Sequence, residues 1–136
     1  MSQRSEVRDQ RSAGKILLLL MLVLITSAFA ADSPPVMSAA KEAWHVLKPS
    51  AGSLISMIVT SDSDQYILLI DSATVPANGA VTLLCPPIHV SAASTTMINF
   101  DIPLRALNGI TVCNSNANSF TKTIGSADCI FSAQVQ

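Results

Sequence analysis

The sequence contains little charge and few of the side chains that perform catalysis. Charged residues make up 12% of the 136 residues, and the only histidines are His45 and His89. A Ser-His-Asp triad needs a positioned base and an activated serine, and the chain contains no G-x-S-x-G motif that would hold such a serine. We therefore predict that the protein is not an enzyme and uses no cofactor.

Motifs that bind metal ions are also missing. The sequence has no C-x-x-C or H-x-x-x-H pair with the spacing of zinc ligands. Asp62 and Asp64 form an Asp-x-Asp step, but the other ligands of a calcium loop, including the distal glutamate, are absent. We interpret the two histidines as surface residues of strands and the two carboxylates as solvated turn residues, so that no metal site is predicted.

Basic residues are too few to form a surface for nucleic acid. After residue 30 the chain contains seven acidic residues and four basic ones. Nucleic-acid binding depends on clustered lysine and arginine. We therefore expect no nucleic-acid partner.

The first thirty residues have the pattern of a secretory signal peptide. Four basic residues precede an apolar run from Ile16 to Ile25, and small residues at Ala28 and Ala30 fit the signal-peptidase pattern. We predict a signal helix that is cleaved between Ala30 and Ala31, with export to the periplasm or the extracellular space. The alternative is an uncleaved anchor, but a transmembrane helix needs about 20 apolar residues, roughly twice this run. Membrane contact is expected only through this segment before cleavage.

The three cysteines, Cys85, Cys113 and Cys129, allow at most one intramolecular disulfide. Export would place them where disulfides form. Closing a loop of about 15 residues, as between Cys113 and Cys129, is worth about 3 kcal/mol in the chain-entropy model. Strand alternation, however, places these two side chains on different faces. The pairing stays open, and buried free thiols are an equal alternative.

The rest of the sequence predicts short strands separated by turns that contain proline and glycine. Residues 53 to 60 alternate, with Ile55, Met57 and Val59 on one face, and residues 95 to 101 place Ile98 and Phe100 inward. Pro103 is expected to interrupt the chain after this strand. Seven or eight such strands favour an antiparallel β-sandwich, either jelly-roll or Ig-like. An extended arm is predicted at residues 31 to 42, and the sandwich domain at residues 43 to 136.

The stretch from Tyr66 to Cys85 is predicted to form a strand, a turn and a returning strand over residues 81 to 85. The first strand is apolar on both faces, since Tyr66, Leu68 and Ile70 lie on one side and aliphatic residues lie on the other. Such a strand is either covered on both faces or exposes one face to a partner. We expect Tyr66, Leu68 and Ile70 to be a candidate interface.

Several segments resemble a small β domain of bacteriophage and prophage structural proteins. That domain repeats a pattern like F-D-A-x-x-x-P-A-D-G-A-V-T-P, followed by S-T-G-I-V-V, F-T-K-T and a terminal A-x-F-I-S-A. The matching positions are residues 70–72, 75–82, 108–112 and 120–123, with ADCIFSAQ at the end. The resemblance covers roughly residues 43 to 134.

This resemblance implies a structural or assembly module of virions that acts by protein–protein packing. Its expected partners are protein subunits, including copies of itself in a homo-oligomer, and its expected location is then the virion. The alternative function is an exported periplasmic or secreted binding or adhesion module. In that alternative the loops Ser61 to Asp64 and Asn114 to Ser119 would contact a ligand.

Overall fold

A computed structural model describes residues 33 to 136, so the predicted signal helix and its cleavage between Ala30 and Ala31 lie outside the described residues. The described part of the chain is all-β and contains no α-helix. Among these residues, no helix exists that is long and apolar enough to cross a membrane. The strands are β1 (Val36–Met37), β2 (Trp44–Lys48), β3 (Gly52–Ser61), β4 (Gln65–Asp71), β5 (Gly79–Ala80), β6 (Ile88–Val90), β7 (Ser94–Ala106), β8 (Ile110–Ser115), β9 (Thr121–Lys122) and β10 (Cys129–Val135).

The strands form two four-stranded sheets and one small two-stranded sheet. Sheet A has the order β1-β10-β3-β7, sheet B has the order β2-β8-β4-β6, and sheet C joins β5 to β9. All the pairings are antiparallel. The prediction of an antiparallel all-β domain is confirmed.

Sheets A and B share one hydrophobic core. Phe131 of β10 is the largest fully buried side chain, and it belongs to a cluster with buried residues from both sheets. Ile98 and Phe100 of β7 pack against this cluster as predicted, while Asn99 between them is exposed. The alternation works because successive side chains of a strand point to opposite faces. The buried members from the longer strands are Leu54, Met57, Val59, Ile67, Leu69, Ala106, Ile110, Val112, Cys129, Phe131, Ala133 and Val135.

β3 departs from the predicted alternation at one position. Met57 and Val59 are buried as expected, but Leu54 is buried in place of Ile55. The register of β3 against β7 shifts here, because Leu54 pairs with Leu104 whereas Ser56 pairs with Asn99. This bulge changes which residues face the core, and a simple alternation rule cannot anticipate it.

β7 continues through Pro103, where the sequence predicted an interruption. The proline lies in the stretch of β7 that has no partner residue on β3, between Asn99 and Leu104. β7 is also the last strand of sheet A. Proline is tolerated at bulges and on edge strands, because its missing N–H leaves no ladder hydrogen bond unmade there.

β4 is central in sheet B and is covered on both faces. Ile67 and Leu69 belong to the main core, whereas Leu68 and Ile70 form a second cluster with Cys113. Leu68 is 0% exposed and Ile70 is 2% exposed. The residues that pack over this second cluster are Val75, Val81 and Leu83.

The structure therefore corrects the expectation that Leu68 and Ile70 present a free apolar patch together with Tyr66. The chain that follows β4 folds back over the outer face of the strand and buries both side chains. Tyr66 is half-buried, and its ring meets that of His89 edge-on with centroids 5.3 Å apart. Of the two alternatives for this strand, coverage by the protein's own chain is the one observed.

The predicted returning strand at residues 81 to 85 does not form. Leu83 makes an isolated bridge to Ile70, and the Leu84 N–H donates to the Leu69 carbonyl at 2.8 Å. Pro86 and Pro87 follow at once and have no N–H to donate, so regular pairing with β4 is restored only in β6. β9 is also short, with two residues.

The predicted extended arm is tied to sheet A. β1 pairs with β10, and the Ser38 N–H donates to the Phe131 carbonyl at 2.9 Å. The Phe131 N–H in turn donates to Ser38 Oγ at 2.8 Å. The compact unit accordingly begins at Ser33, ahead of the boundary predicted at residue 43.

Candidate functional site

The three cysteines are free thiols in different surroundings. Cys129 lies in the main core, Cys113 lies in the second cluster under β4, and Cys85 is half-buried. Burial raises the pKa of all three thiols, and that of Cys113 to about 11. A thiol with a raised pKa stays protonated at neutral pH and is a poor nucleophile.

The two histidines do not form a catalytic or metal site in the described residues. His89 is exposed beside Tyr66, and Nδ1 of His45 lies 2.7 Å from Oε1 of Glu42. Residues 33 to 136 contain no group of three His, Cys, Asp or Glu side chains that would hold a metal ion. Glu42 and His45 therefore form an isolated pair on the arm and β2.

A cluster of polar side chains lies where three segments meet, around residues 61–65, 114–116 and 125–128. Gln65 Nε2 donates to Asp128 Oδ1 at 2.9 Å and to Ser61 Oγ at 2.5 Å. Asn114 Nδ2 donates to the same Asp128 oxygen at 3.2 Å. Ser61, Gln65 and Asn114 are all buried. We call Ser61, Ser63, Gln65, Asn114 and Asp128 the polar cluster.

The charge of Asp128 is stabilised inside the polar cluster. Burial pushes the pKa of Asp128 upward, but hydrogen bonds from Ser63, Gln65 and Asn114 outweigh burial and hold that pKa below its ordinary value. The Gly125 N–H also donates to Asn114 Oδ1 at 3.1 Å. The buried polar groups thus satisfy one another's hydrogen bonds, which is the pattern of a structural network.

The polar cluster joins the two loops that the sequence singled out as ligand contacts, Ser61 to Asp64 and Asn114 to Ser119. Sequence reasoning missed the roles of Gln65 and Asn114, because an amide beside an apolar run is most simply interpreted as the start of a loop. Asn114 instead lies in β8, fully buried. In the sequence, the only indication that Asn114 is buried is that it continues the every-second-residue pattern of the apolar residues before it.

Two surface depressions lie among residues 33 to 136. One, of about 360 Å³, is lined by residues 51–53 and 105–107, with Arg105 as its charged member. Another, of about 230 Å³, lies on sheet A and is lined by Pro35, residues 56–58 and residues 132–134. Neither places a nucleophile beside a base.

Within residues 33 to 136, the outer face of sheet A has exposed apolar side chains on three of its four strands. Strand register arranges its side chains in three rows across the sheet. The central row is Met37, Ser132, Ile58 and Met97. The flanking rows are Ile130, Thr60 and Thr95 on one side, and Gln134, Ser56 and Asn99 on the other.

These rows contain no charged residue. Met37 is 65% exposed, Met97 is 66% exposed and Ile58 is 37% exposed, so three of the four side chains in the central row form an apolar stripe that is open to solvent and interrupted by Ser132. Thr60 Oγ1 and Thr95 Oγ1 lie 2.9 Å apart in the neighbouring row. Depletion of charge around exposed apolar side chains is the composition expected at the centre of a protein interface.

The two sheets differ in whether other parts of the chain cover their outer faces. The outer face of sheet B is covered at β4 by Val75, Val81 and Leu83. The central row of sheet A has no such cover from residues 33 to 136 and ends at β7, an edge strand. An apolar stripe that leads to an open edge is a feature through which proteins add a strand from a partner.

No protein family, no curated protein and no solved structure matches this chain. The outer face of sheet A and the edge of β7 are therefore the features on which a functional proposal rests.

Proposed function

We propose that the protein is a non-enzymatic structural or assembly module that acts by packing against protein subunits, including copies of itself. The observation that carries this proposal is the uncharged outer face of sheet A, with Met37, Ile58 and Met97 exposed in one row. Burying such side chains yields about 25 cal/mol per Å² of apolar surface. Function through surface burial needs no reactive group, and the buried thiols supply none.

We further propose that sheets A and B form a β-sandwich of the jelly-roll class. With β5 and β9 left aside, the orders β1-β10-β3-β7 and β2-β8-β4-β6 are those of a jelly roll. Jelly rolls occur in viral capsid proteins, in lectins and in cupins, so the class by itself does not select a function. Among these we propose the assembly role, which is the role that a resemblance to phage structural domains would imply.

The alternative is an exported binding or adhesion module, and one observation favours it. The loops Ser61 to Asp64 and Asn114 to Ser119 lie together around Asp128, as a two-loop binding site would require. Their buried side chains, however, are hydrogen-bonded to one another and leave few groups for a ligand. We therefore place this function second.

Sedimentation of native cell extracts tests the assembly role. We expect the protein to sediment in a complex larger than one chain, because subunit packing is its proposed activity. Sedimentation as a single chain in every fraction, including that of phage particles, would overturn the proposal. In the same fractions, a mature amino terminus at Ala31 in the periplasm or medium indicates export, and an unprocessed chain on phage particles indicates the virion location.

A further inference from the structure

We infer that a second copy of this chain extends sheet A, through antiparallel pairing of the two β7 edges around Met97. This inference rests on the proposed assembly role and identifies its surface and its partner. Four strands lie at the edges of sheets A and B: β1, β7, β2 and β6. Which of them is open to a partner follows from their lengths and side chains.

Three of these edges are poorly suited to adding a strand. β1 has two residues and β6 has three. β2 has five residues, includes Lys48, and carries His45 paired with Glu42. Short edges and charged edges are the devices by which proteins avoid edge-to-edge association. β7, with 13 residues, is the remaining edge.

β7 is protected along one half only. Its later part contains Asp101, Pro103 and Arg105, and the bulge opposite β3 also lies there. Charge, proline and bulges all discourage strand addition. Its first part, Ser94 to Phe100, has none of these features and keeps a regular register with β3 from Ser94 to Asn99. The unprotected part is therefore a continuous segment of uncharged residues.

Strand parity limits the registers in which two copies of this segment can pair. Directly opposed residues of an antiparallel pair point to the same face. Only registers that place outward residues opposite outward residues keep the two outer faces on one side of the joined sheet. Among these registers, the one that places Met97 opposite Met97 of the second copy pairs the whole segment from Ser94 to Phe100. In it, Thr95 lies opposite Asn99.

The absence of charge in this segment is also compatible with this register. A two-fold axis brings identical groups close together, so a charged residue near the axis would face its own copy and repel it. The segment around Met97 contains no charge, and the nearest charged residue on β7, Asp101, lies beyond the paired length. Thr95 of each copy lies opposite Asn99 of the other copy. Both side chains are polar and neutral, and each contains a hydrogen-bond donor and an acceptor.

The resulting dimer has one continuous sheet of eight strands. Its central rows join at the axis, so that Met37, Ile58 and Met97 of each copy form one apolar stripe across both chains. The two Met97 side chains, each 66% exposed in the single chain, then bury each other. The backbone groups on the open side of β7 gain partners at the same time.

The first test is sedimentation velocity of the purified full chain and two lysine variants. Met97→Lys places two positive charges opposite each other at the axis, and we expect it to weaken dimerisation about tenfold or more. Leu107→Lys is the matched control, because Leu107 is 82% exposed and follows β7 outside the paired segment. The control is expected to dimerise as the unaltered chain does.

The second test is disulfide capture at the axis. Opposed residues of an antiparallel pair have Cβ atoms about 4.5–5.5 Å apart, close to the separation that a disulfide spans. We expect Met97→Cys to give a covalent dimer under mild oxidation, and Leu107→Cys to give none. The three natural thiols are common to both variants, so the difference reports on position 97 alone.

The outcomes separate this inference from the proposed function. If the full chain associates but Met97→Lys has no effect and Met97→Cys gives no covalent dimer, the inference is wrong while the assembly role stands. A purified chain that is monomeric at all concentrations, while the native extract contains a larger complex, also overturns the inference and identifies a different partner. A monomer in both samples overturns both.

Discussion

Asp71 shows how one side chain fixes a turn that lies far along the chain. Its Oδ1 accepts hydrogen bonds from the N–H groups of Asn108 at 2.8 Å and Leu107 at 3.1 Å. The hydrogen bond from Asn108 is the main cause that holds the pKa of Asp71 below its ordinary value. Asn108 with Gly109 is a turn pair in the sequence, but nothing in the sequence reveals its anchor, because pairing across 37 residues depends on the finished fold.

Gly109 completes this turn for a steric reason. A Cβ atom at this position would lie 2.6 Å from Ala73 Cα and 2.8 Å from the Lys48 carbonyl oxygen. Both neighbours are backbone atoms that cannot rotate away. The Asn-Gly pair therefore has its glycine where the chain passes close to other backbone, which a turn signal alone does not reveal.

Asp71→Asn tests this anchor. We expect a loss of about 1 kcal/mol or more in the free energy of unfolding at neutral pH, because charge-assisted hydrogen bonds become neutral ones. The pKa of Asp71 is lowered in the folded state, so its contribution is complete above about pH 4 and is lost as the pH falls through the folded-state pKa. Urea denaturation at a series of pH values is expected to show a shallower acid loss in the variant.

Asp62→Asn is the control for this measurement. Asp62 is exposed and its partner is Lys41, also exposed. Exposed ion pairs contribute at most about 1 kcal/mol and often nothing measurable. Equal stability and equal acid dependence for Asp71→Asn and the unaltered chain would contradict the anchoring role.

At the scale of elements, alternation predicted strands but not what covers them. β3 and β7 include the strands predicted at residues 53 to 60 and 95 to 101, because their apolar residues recur every second place. The doubly apolar β4 was recognised too, yet its cover depends on where the following chain passes. That path follows from Pro86, from Pro87 and from the bridge of Leu83 to Ile70, which alternation does not encode.

Leu68→Ala distinguishes a covered strand from a subunit contact. We expect the variant to lose about 2–5 kcal/mol in the free energy of unfolding, because Leu68 is fully buried under Val75, Val81 and Leu83. Met97→Ala, an exposed change on β7, is expected to stay within about 0.5 kcal/mol. Denaturation of dilute protein provides the measurement, and a near-neutral Leu68→Ala would contradict the packing over β4.

At the scale of the whole molecule, the fold class was predictable and the proposed interaction surface was not. Short alternating strands and the lack of helical periodicity indicate an antiparallel all-β domain. The interface was expected at Leu68 and Ile70, the most apolar strand, but a strand this apolar is covered by its own chain. The exposed row of Met37, Ile58 and Met97 draws single residues from three strands, so only the register of sheet A brings it together.

Amide hydrogen exchange across a range of protein concentrations tests the central claim most directly. We predict that amides in Ser94 to Phe100 exchange more slowly as the concentration rises, because the open edge of β7 gains hydrogen bonds from a second copy. Amides of β2 and β6, the outer strands of sheet B, are expected to exchange at the same rate throughout. Protection that rises elsewhere while the β7 segment is unchanged would contradict self-association through this edge.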